Sequence, residues 1–541
     1  MRHVQGPHLL NEEQRDRRAV NLVTRYHCEN SPALHKHNMM KKLAALPDAN
    51  LRIFERPDPP SLDSIETVHL IGVCGTGMGS LAGLLQQKGY RVSGSDQKCY
   101  PPMSTRIAQM GVLLHEGFSA EHLKPHPDLV IVGNACTPTH PEATYAREHR
   151  LPQLSLPEAI AHFFLHSRRS LVVAGTHGKT TTTGMLVHVL RRASLDPGFL
   201  VGGVMVNDNA SYDVGTGPHF VVEGDEYDSA YFDKRPKMMH YRPKSAIITS
   251  VEFDHADIYD TWDDYRAAFQ TFSGLVGKGD LLVINGDDPE VRALADYTDA
   301  RVLYLGVEGE DDDVTARNIT PISGGQTFTL MFEGRPVVEI FLPMSGRHNL
   351  LNALAVCAVA IDEGVAPEAL ASGFASFEGM RRRQEVRGEA FGVIVVDDFA
   401  HHPTAVLATI RSVVERWPNR RIVAIFEPRS NSSRRKVFER AYAESFDGAA
   451  RVFISSPPIR HNDDAANLLD AGSLVEMIDE RGIQAAAYPN AEALLPALLN
   501  ELRAGDVALI MSNGSFDGLH DELMSSLEIL EAAGTKNVSN V

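Results

Sequence analysis

The sequence predicts an α/β protein of three domains: a Rossmann-like N-terminal domain, a phosphate-loop central domain and a Rossmann-like C-terminal domain. Three observations predict it. A strand, a glycine-rich turn and a helix follow one another twice, from Val68 and again from Leu171. Polar loops follow apolar runs throughout the second half, as at one edge of a parallel sheet. The 541 residues allow about three domains, each with its own core. The expected boundaries are a polar N-terminal extension over 1–64, then domains over 65–165, 166–386 and 387–541.

Residues 1–64 are polar, rich in histidine and arginine, and end in the loop-like RPDPPSLDS. Five of the 23 histidines fall here (His3, His8, His27, His35, His37), irregularly spaced, which favours a solvated extension over a metal site. Met39 or Met40 offers an alternative start. At Val68 the register changes: VHLIGVCGTGMGSLAGLLQQKGYRVSGSD gives strand, glycine turn, helix and a second strand ending at Asp96. The glycines fit only a late G-x-G-x-x-A reading, from Gly77 to Ala82. Small residues at a helix start still let backbone amides approach a diphosphate. Gly72, Gly75, Thr76, Gly77, Met78 and Asp96 are the candidates there. Cys74 lies inside this turn, where packing of a small residue is the default reading. DLVIVGNACT (128–137) supplies another strand, and the domain closes near the prolines of LPQLSLPEA.

The central domain opens on LVVAGTHGKTTTTGML (171–186): a buried strand, then Gly175, Thr176, His177, Gly178, Lys179 and four threonines, Thr180 to Thr183. Glycines turn N–H groups toward an anion, the helix N-terminus adds positive potential, and Lys179 reaches terminal phosphates. A threonine after that lysine, Thr180, suits Mg²⁺, with Thr181 beside it. Val173 replaces the first glycine of the full G-x-x-x-x-G-K-[ST] pattern. Two later strand ends carry acids: Glu223, Asp225, Glu226 and Asp228, then Glu252, Asp254, His255 and Asp257. Glu223 and His255 are the candidate metal ligands by position at the strand ends; most of the other acids are expected to be solvated. Asn349 and Asn352 start a helix, serving either a base edge or capping and packing. Arg381, Arg382, Arg383 and Arg387 cluster at the next domain junction, where one guanidinium is expected to meet phosphate and the others solvent.

The last domain begins with GVIVVDDFAHHPTAV, delivering Asp397, Asp398, His401 and His402 after a strand. Asp398 with His401 invites a hydrolase reading, which fails without a G-x-S-x-G elbow. RRIVAIFEPRSNSSRR ends a second strand in a loop with Arg429, Ser430 and Asn431. The net charge of −18 argues against nucleic acid or anionic lipid as partner. Five cysteines (Cys28, Cys74, Cys99, Cys136, Cys357) without C-x-x-C spacing argue for a reducing compartment, against a disulfide framework or a zinc site. No apolar run suits a leader or a membrane span, so the expected location is cytoplasmic.

Six segments, GTHGKTT, VVEGDE, EFDHADIY, GRHNLLNA, RRRQE and DDFAHHP, occur in an order that resembles the Mur ligase family of ATP-dependent amide-forming enzymes, over about residues 66 to 530. The resemblance implies a UDP-sugar binder, a central ATPase and a third domain that brings the incoming amine. It implies ATP and Mg²⁺ as cofactors and a monomer or weak homo-oligomer. By position it puts Lys179 on the terminal phosphates, and Thr180, Glu223 and His255 on magnesium. Asn349 and Asn352 fall by adenine, Arg383 by the phosphates, and Asp398 and His401 at the nucleotide. Lys179, His255 and Arg383 thus stand as the catalytic set. Several family members carry a carbamylated lysine where YRAAFQTF has Phe269, and its absence is similar to the branches that act directly on UDP-N-acetylmuramate. YPPMS (100–104), EGDEYDSAYFDKRPKMMHYRP (223–243) and FEPRSNSS (426–433) resemble the branch that adds the tripeptide L-alanyl-γ-D-glutamyl-meso-diaminopimelate, rather than the one that adds free L-alanine. In that branch Arg429, Ser430 and Asn431 would touch the peptide. A dehydrogenase leaves the phosphate loop unexplained, and a non-catalytic sugar-nucleotide sensor leaves Lys179, Thr180, Glu223, His255 and Asp398 without purpose.

Overall fold

The computed structural model describes residues 40, 42–99, 103–256, 258–307, 309, 311–459 and 465–538. The five N-terminal histidines, Cys28, Met39, Asp257 and the first three residues of YPPMS lie outside the described residues. The N-terminal sheet is fully parallel, with strands β1 (Thr67–Ile71), β2 (Arg91–Asp96), β3 (Leu113–Glu116), β4 (Leu129–Val132) and β5 (Gln153–Ser155) in the order β3-β2-β1-β4-β5. The chain reverses direction across this sheet at β1, so the turn before helix α1 (Thr76–Gln87) sits at the switch point where such sheets bind ligands.

The central sheet has ten strands in the order β17-β16-β15-β14-β13-β12-β6-β9-β7-β8. These are β6 (Arg169–Ala174), β7 (Gly198–Met205), β8 (Ala210–Asp213), β9 (His219–Gly224), β12 (Ser245–Ile248), β13 (Leu281–Asn285), β14 (Arg301–Gly306), β15 (Val314–Ile322), β16 (Gly325–Phe332) and β17 (Arg335–Leu342). A separate hairpin, β10 (Asp228–Ala230) and β11 (Asp233–Pro236), projects from it. Helices α2 (Lys179–Arg192) and α4 (Arg347–Asp362) bury Leu186, Val189, Leu354 and Ala358 against one face. Helix α3 (Trp262–Ser273) packs on the other, with Phe269 fully buried beside Tyr265.

The third sheet runs β18-β19-β23-β20-β21-β22, parallel except for β18. Its strands are β18 (Glu385–Ala390), β19 (Val393–Asp398), β20 (Arg421–Phe426), β21 (Arg451–Ser455), β22 (Gln484–Tyr488) and β23 (Asp506–Met511). Because β19 and β20 flank β23, the loops after all three emerge side by side. Helix α5 (Pro403–Arg416) follows the first of them.

Two junctions differ in kind. The hairpin side chains Ala230, Tyr231 and Phe232 are buried in one cluster with Ile71, Val130 and Val132 of the first domain. Helix α1 lies so close to β8 that a methyl at Gly83 would collide with the Tyr212 ring, and Ser80 Oγ meets Ser211 Oγ at 3.1 Å. By contrast, the third domain meets the central one mainly through polar groups, described below.

The expectation of a solvated N-terminal extension fails for its described part. Leu43 is buried, Phe54 stacks on Tyr231 with ring centroids 6.3 Å apart, and Arg56 holds Glu158 through two bonds of 2.9 and 3.0 Å. Isolated aromatics between prolines give no periodic signal, which is why the sequence reads as loop. Phe54→Ala should lower stability by about 2 kcal/mol, less than a full core deletion because the ring is half-exposed. Denaturant unfolding of the full chain measures this.

Candidate active site

Register builds the phosphate site. In β6, Val173 pairs with Glu223 of β9, and Ala174 pairs with Gly224 on one side and Ile248 of β12 on the other. The loop after β6 therefore lies between the acidic loops after β9 and β12. Gly175 and Gly178 take φ of 128° and 81°. A methyl at Gly175 would collide with Thr249 Oγ1, and one at Gly178 would come within 2.7 Å of Asn352 Oδ1. These two positions need glycine.

At the head of α2, Lys179 Nζ donates to Gly175 O at 2.6 Å and to Glu226 Oε2 at 2.7 Å. Glu226 is almost fully buried and takes a second partner, His255 Nε2, at 3.2 Å. Burial alone would raise the Glu226 carboxyl, but Lys179 and His255 outweigh it and hold it down at about 2. The same carboxylate, outweighing burial, keeps Lys179 and His255 above their ordinary values. His255 is held at φ 52°, a conformation uncommon outside glycine.

Thr180 Oγ1 lies 3.2 Å from Glu223 Oε2, and Gly202 N–H donates to Glu223 Oε1 at 2.6 Å. Burial first, and then the neighbouring Asp225 charge, push Glu223 up to about 7. This carboxylate has too little positive charge around it, and its donor set with Thr180 is hard oxygen, which fits Mg²⁺. Without metal, the folded chain holds a proton on Glu223 that the unfolded chain releases near its ordinary value of 4.5. Stability therefore falls as pH rises from about 4.5 through 7. Metal-free Glu223→Gln should melt above the wild type near pH 8 and level with it near pH 4.5, a comparison scanning calorimetry makes directly.

The arginine cluster resolves by contact. Arg383 is the one that reaches the phosphate loop, with Nη2 donating to Thr180 Oγ1 at 3.4 Å. Arg381 pairs with Glu385 at 2.6 Å, and Arg387 pairs with Asp521 at 2.7 Å. Arg382 donates to Ser512 O and Gly514 O at 2.6 Å each, so it is bound to carbonyls rather than solvated as expected.

Other predicted residues fall in several places. Thr176 Oγ1 donates to Glu252 O at 3.0 Å, and Thr181 is buried in the first turn of α2. Asn349 Nδ2 bonds Ser345 O at 2.8 Å at the head of α4, while Asn352 faces Gly178. Asp398 accepts Gln384 N–H at 2.8 Å and Ala400 N–H at 2.7 Å, and burial raises it despite Arg383. His401 Nδ1 lies 3.0 Å from Phe399 O, with burial pushing the ring down to about 4. In the first domain Gly72 has φ 82°, Gly75 precedes α1, Thr76 opens it, and Asp96 Oδ2 accepts Cys74 N–H at 2.9 Å. Gly77 faces Leu156 and the Met78 side chain sits in the core.

Sequence reasoning passed over two buried acids. Glu226 and Asp254, among the acids expected to be solvated, are 1% and 6% exposed. Asp254 accepts His255 N–H at 2.6 Å and the hydroxyl of Ser432, which comes from the third domain. Thr404 Oγ1 donates to Glu252 Oε1 at 2.5 Å across the same junction. The loop holding Arg429, Ser430 and Asn431 is thus tied at Ser432 directly behind His255. Arg429 Nη1 lies 3.1 Å from Glu427 Oε1, Ser430 Oγ lies 2.9 Å from Ser433 Oγ, and Asn431 is exposed.

A phosphate loop with a buried lysine and paired hard-oxygen donors, closed over by a third α/β domain, defines a nucleotide-dependent ligase. Family models match in the same three parts: "Mur ligase family, catalytic domain" over 67–168, "Mur ligase middle domain" over 173–360 and "Mur ligase, glutamate ligase domain" over 382–514. The chain belongs to the Mur ligase family of ATP-dependent amide-forming ligases. It is 38% identical to UDP-N-acetylmuramate–L-alanyl-gamma-D-glutamyl-meso-2,6-diaminoheptandioate ligase of Escherichia coli (strain K12), over 85% of this chain and 98% of that protein. The crystal structure of a murein peptide ligase from Psychrobacter arcticus 273-4 is similar, with a TM-score of 0.65 and 33% identity over 86% of this chain and 99% of that one. UDP-N-acetylmuramate–L-alanine ligase of Chlorobaculum tepidum is 34% identical over 85% of this chain and 95% of that protein. Among the described residues no helix is long and apolar enough to cross a membrane.

Proposed function

We propose that this ligase joins the lactyl carboxylate of UDP-N-acetylmuramate to the preformed tripeptide L-alanyl-γ-D-glutamyl-meso-diaminopimelate, in the cytoplasm, as a step of peptidoglycan recycling. The observation that carries this reading is the third-domain loop: Ser432 anchors it to Asp254, and Arg429 stands half-exposed three residues away. A guanidinium there is placed to take a peptide carboxylate, a group that free alanine lacks beyond its own α-carboxylate. The name of the E. coli relative supports the same substrates.

A carboxylate is a poor electrophile, so it first attacks the terminal phosphorus of ATP to form an acyl phosphate, with ADP leaving. The peptide amine then attacks the acyl carbon, and the tetrahedral intermediate expels inorganic phosphate as the amine gives up its proton. Lys179 and Arg383 neutralise charge on the transferring phosphoryl group. Thr180 and Glu223 would hold Mg²⁺, which supplies further charge neutralisation when bound. His255 is the proposed imidazole of that set, with its Nε2 paired to Glu226. The glycine cradle and the Asn349–Asn352 turn would take the nucleotide, with Asp398 shaping the loop that carries His401. Gly72, Gly75, Thr76, Gly77 and Asp96 would surround the UDP diphosphate, with Met78 packing beneath. Closure of the third domain excludes water that would hydrolyse the acyl phosphate.

Phosphate release with ATP, Mg²⁺ and UDP-N-acetylmuramate tests the reading by comparing free L-alanine with the tripeptide. Preference for the tripeptide is expected; turnover with alanine alone would make the protein an L-alanine ligase, and silence with both would reopen the sensor reading. Arg429→Ala should raise KM for the tripeptide about 10- to 100-fold, or about 1.4–2.7 kcal/mol. The KM for UDP-N-acetylmuramate should stay unchanged.

A further inference from the structure

Three side chains from three distant segments converge where the central and third domains meet. His177 comes from the loop after β6, Glu252 from the loop after β12, and His402 from just before α5. Their ligating atoms all lie within 4.8 Å of one another. His177 Nε2 is 2.9 Å from Glu252 Oε2, His402 Nδ1 is 3.8 Å from that same oxygen, and the two rings are 4.9 Å apart.

We propose that His177, Glu252 and His402 form a binding site for a divalent transition-metal ion of the zinc class, which fastens the third domain to the central one. Two imidazoles and a carboxylate are the ligand types of open zinc sites, and they favour Zn²⁺, Co²⁺ or Ni²⁺ over Mg²⁺. Bonds of about 2.0–2.1 Å in a tetrahedron put ligand atoms about 3.3–3.4 Å apart, between the 2.9 and 3.8 Å seen here. Thr404 donates to the other carboxylate oxygen, Oε1, which orients Oε2 toward the histidines. The Glu252 side chain is 39% exposed, which leaves a path for the ion and room for a water as fourth ligand. The ion pairs of Glu252 among the described residues are both with imidazoles.

A second cluster of three, with two carboxylates and one imidazole (Glu158, Asp233 and His240), shows the contrast. There Arg56 occupies Glu158 and Arg235 occupies Asp233 at 2.6 Å, so the negative charge is already answered. The set proposed here shares no residue with Thr180, Glu223 and His255.

Titration of the full chain with Co²⁺, in excess Mg²⁺, tests the site through the visible d–d absorption of bound cobalt. One equivalent is expected, displaced by Zn²⁺, with hydrogen exchange slowed in residues 250–254 and 399–404 when the ion is present. His402→Ala and Glu252→Gln should each weaken binding at least about tenfold, while His255→Ala should leave it unchanged. Cooperative unfolding in chelator shows that each variant is folded, and Glu252→Gln carries the test if His402→Ala is not. Cobalt binding that survives both substitutions, or that is lost with His255→Ala, overturns the proposal. Binding without slowed exchange in both loops overturns the fastening role.

Discussion

Lys179→Met is expected to lower phosphate release by about 10³-fold at saturating ATP, the loss of a charge aimed at a transferring phosphoryl group. A rapid phosphate assay measures it. The substitution has a second effect that must be separated from the first. Glu226 is 1% exposed and, among the described residues, would be left with His255 as its charged partner. Stranding a buried carboxylate costs about 3 kcal/mol or more. Adding Glu226→Gln to Lys179→Met should therefore restore most of the melting temperature while leaving the rate low. Recovery of rate along with stability would show that Lys179 acts through the fold alone.

Arg383→Lys is expected to lower kcat about 10²-fold, while Arg381→Ala changes it by less than about twofold. The two residues are neighbours in sequence but not in surroundings. Arg383 reaches Thr180 and lies with its guanidinium 4.6 Å from the centre of the Phe399 ring, whereas Arg381 pairs with Glu385 and is half-exposed. Lysine keeps the charge but loses the planar fork that can hold Thr180 and lie on Phe399 together. Steady-state kinetics of the two variants side by side decide it; equal losses would remove Arg383 from its special place.

The parts of this site that were legible in the sequence are those made by neighbours in the chain. Gly175 to Thr180 announce themselves because strand, turn and helix start are contiguous, and Glu223 stands out at the end of an apolar run. Glu226 does not, because its environment is set by Lys179, 47 positions earlier, by Tyr265 of α3 and by His255 from another loop. Asp254 reads as solvated in the sequence because its partner Ser432 is 178 positions away. The arginine cluster marked the domain junction, but only the fold separates Arg383 from Arg382. Arg56 and Phe54 show the same limit: single contacts without a period leave no mark that local patterns can carry.

A ten-stranded sheet has two free edges, and each open ladder of N–H and C=O groups is a template on which another chain can grow. At one end of this sheet α1 of the first domain closes over β8, with Gly83 leaving room for Tyr212. At the other end β17 carries Arg335, Pro336 and Glu339, a proline and charges that discourage pairing. The first domain thus doubles as a cover for the central sheet. A truncated chain starting at the central domain would bare β8 along with the Tyr231–Phe232 hairpin, and it should form intermolecular β-structure rather than stay a clean monomer.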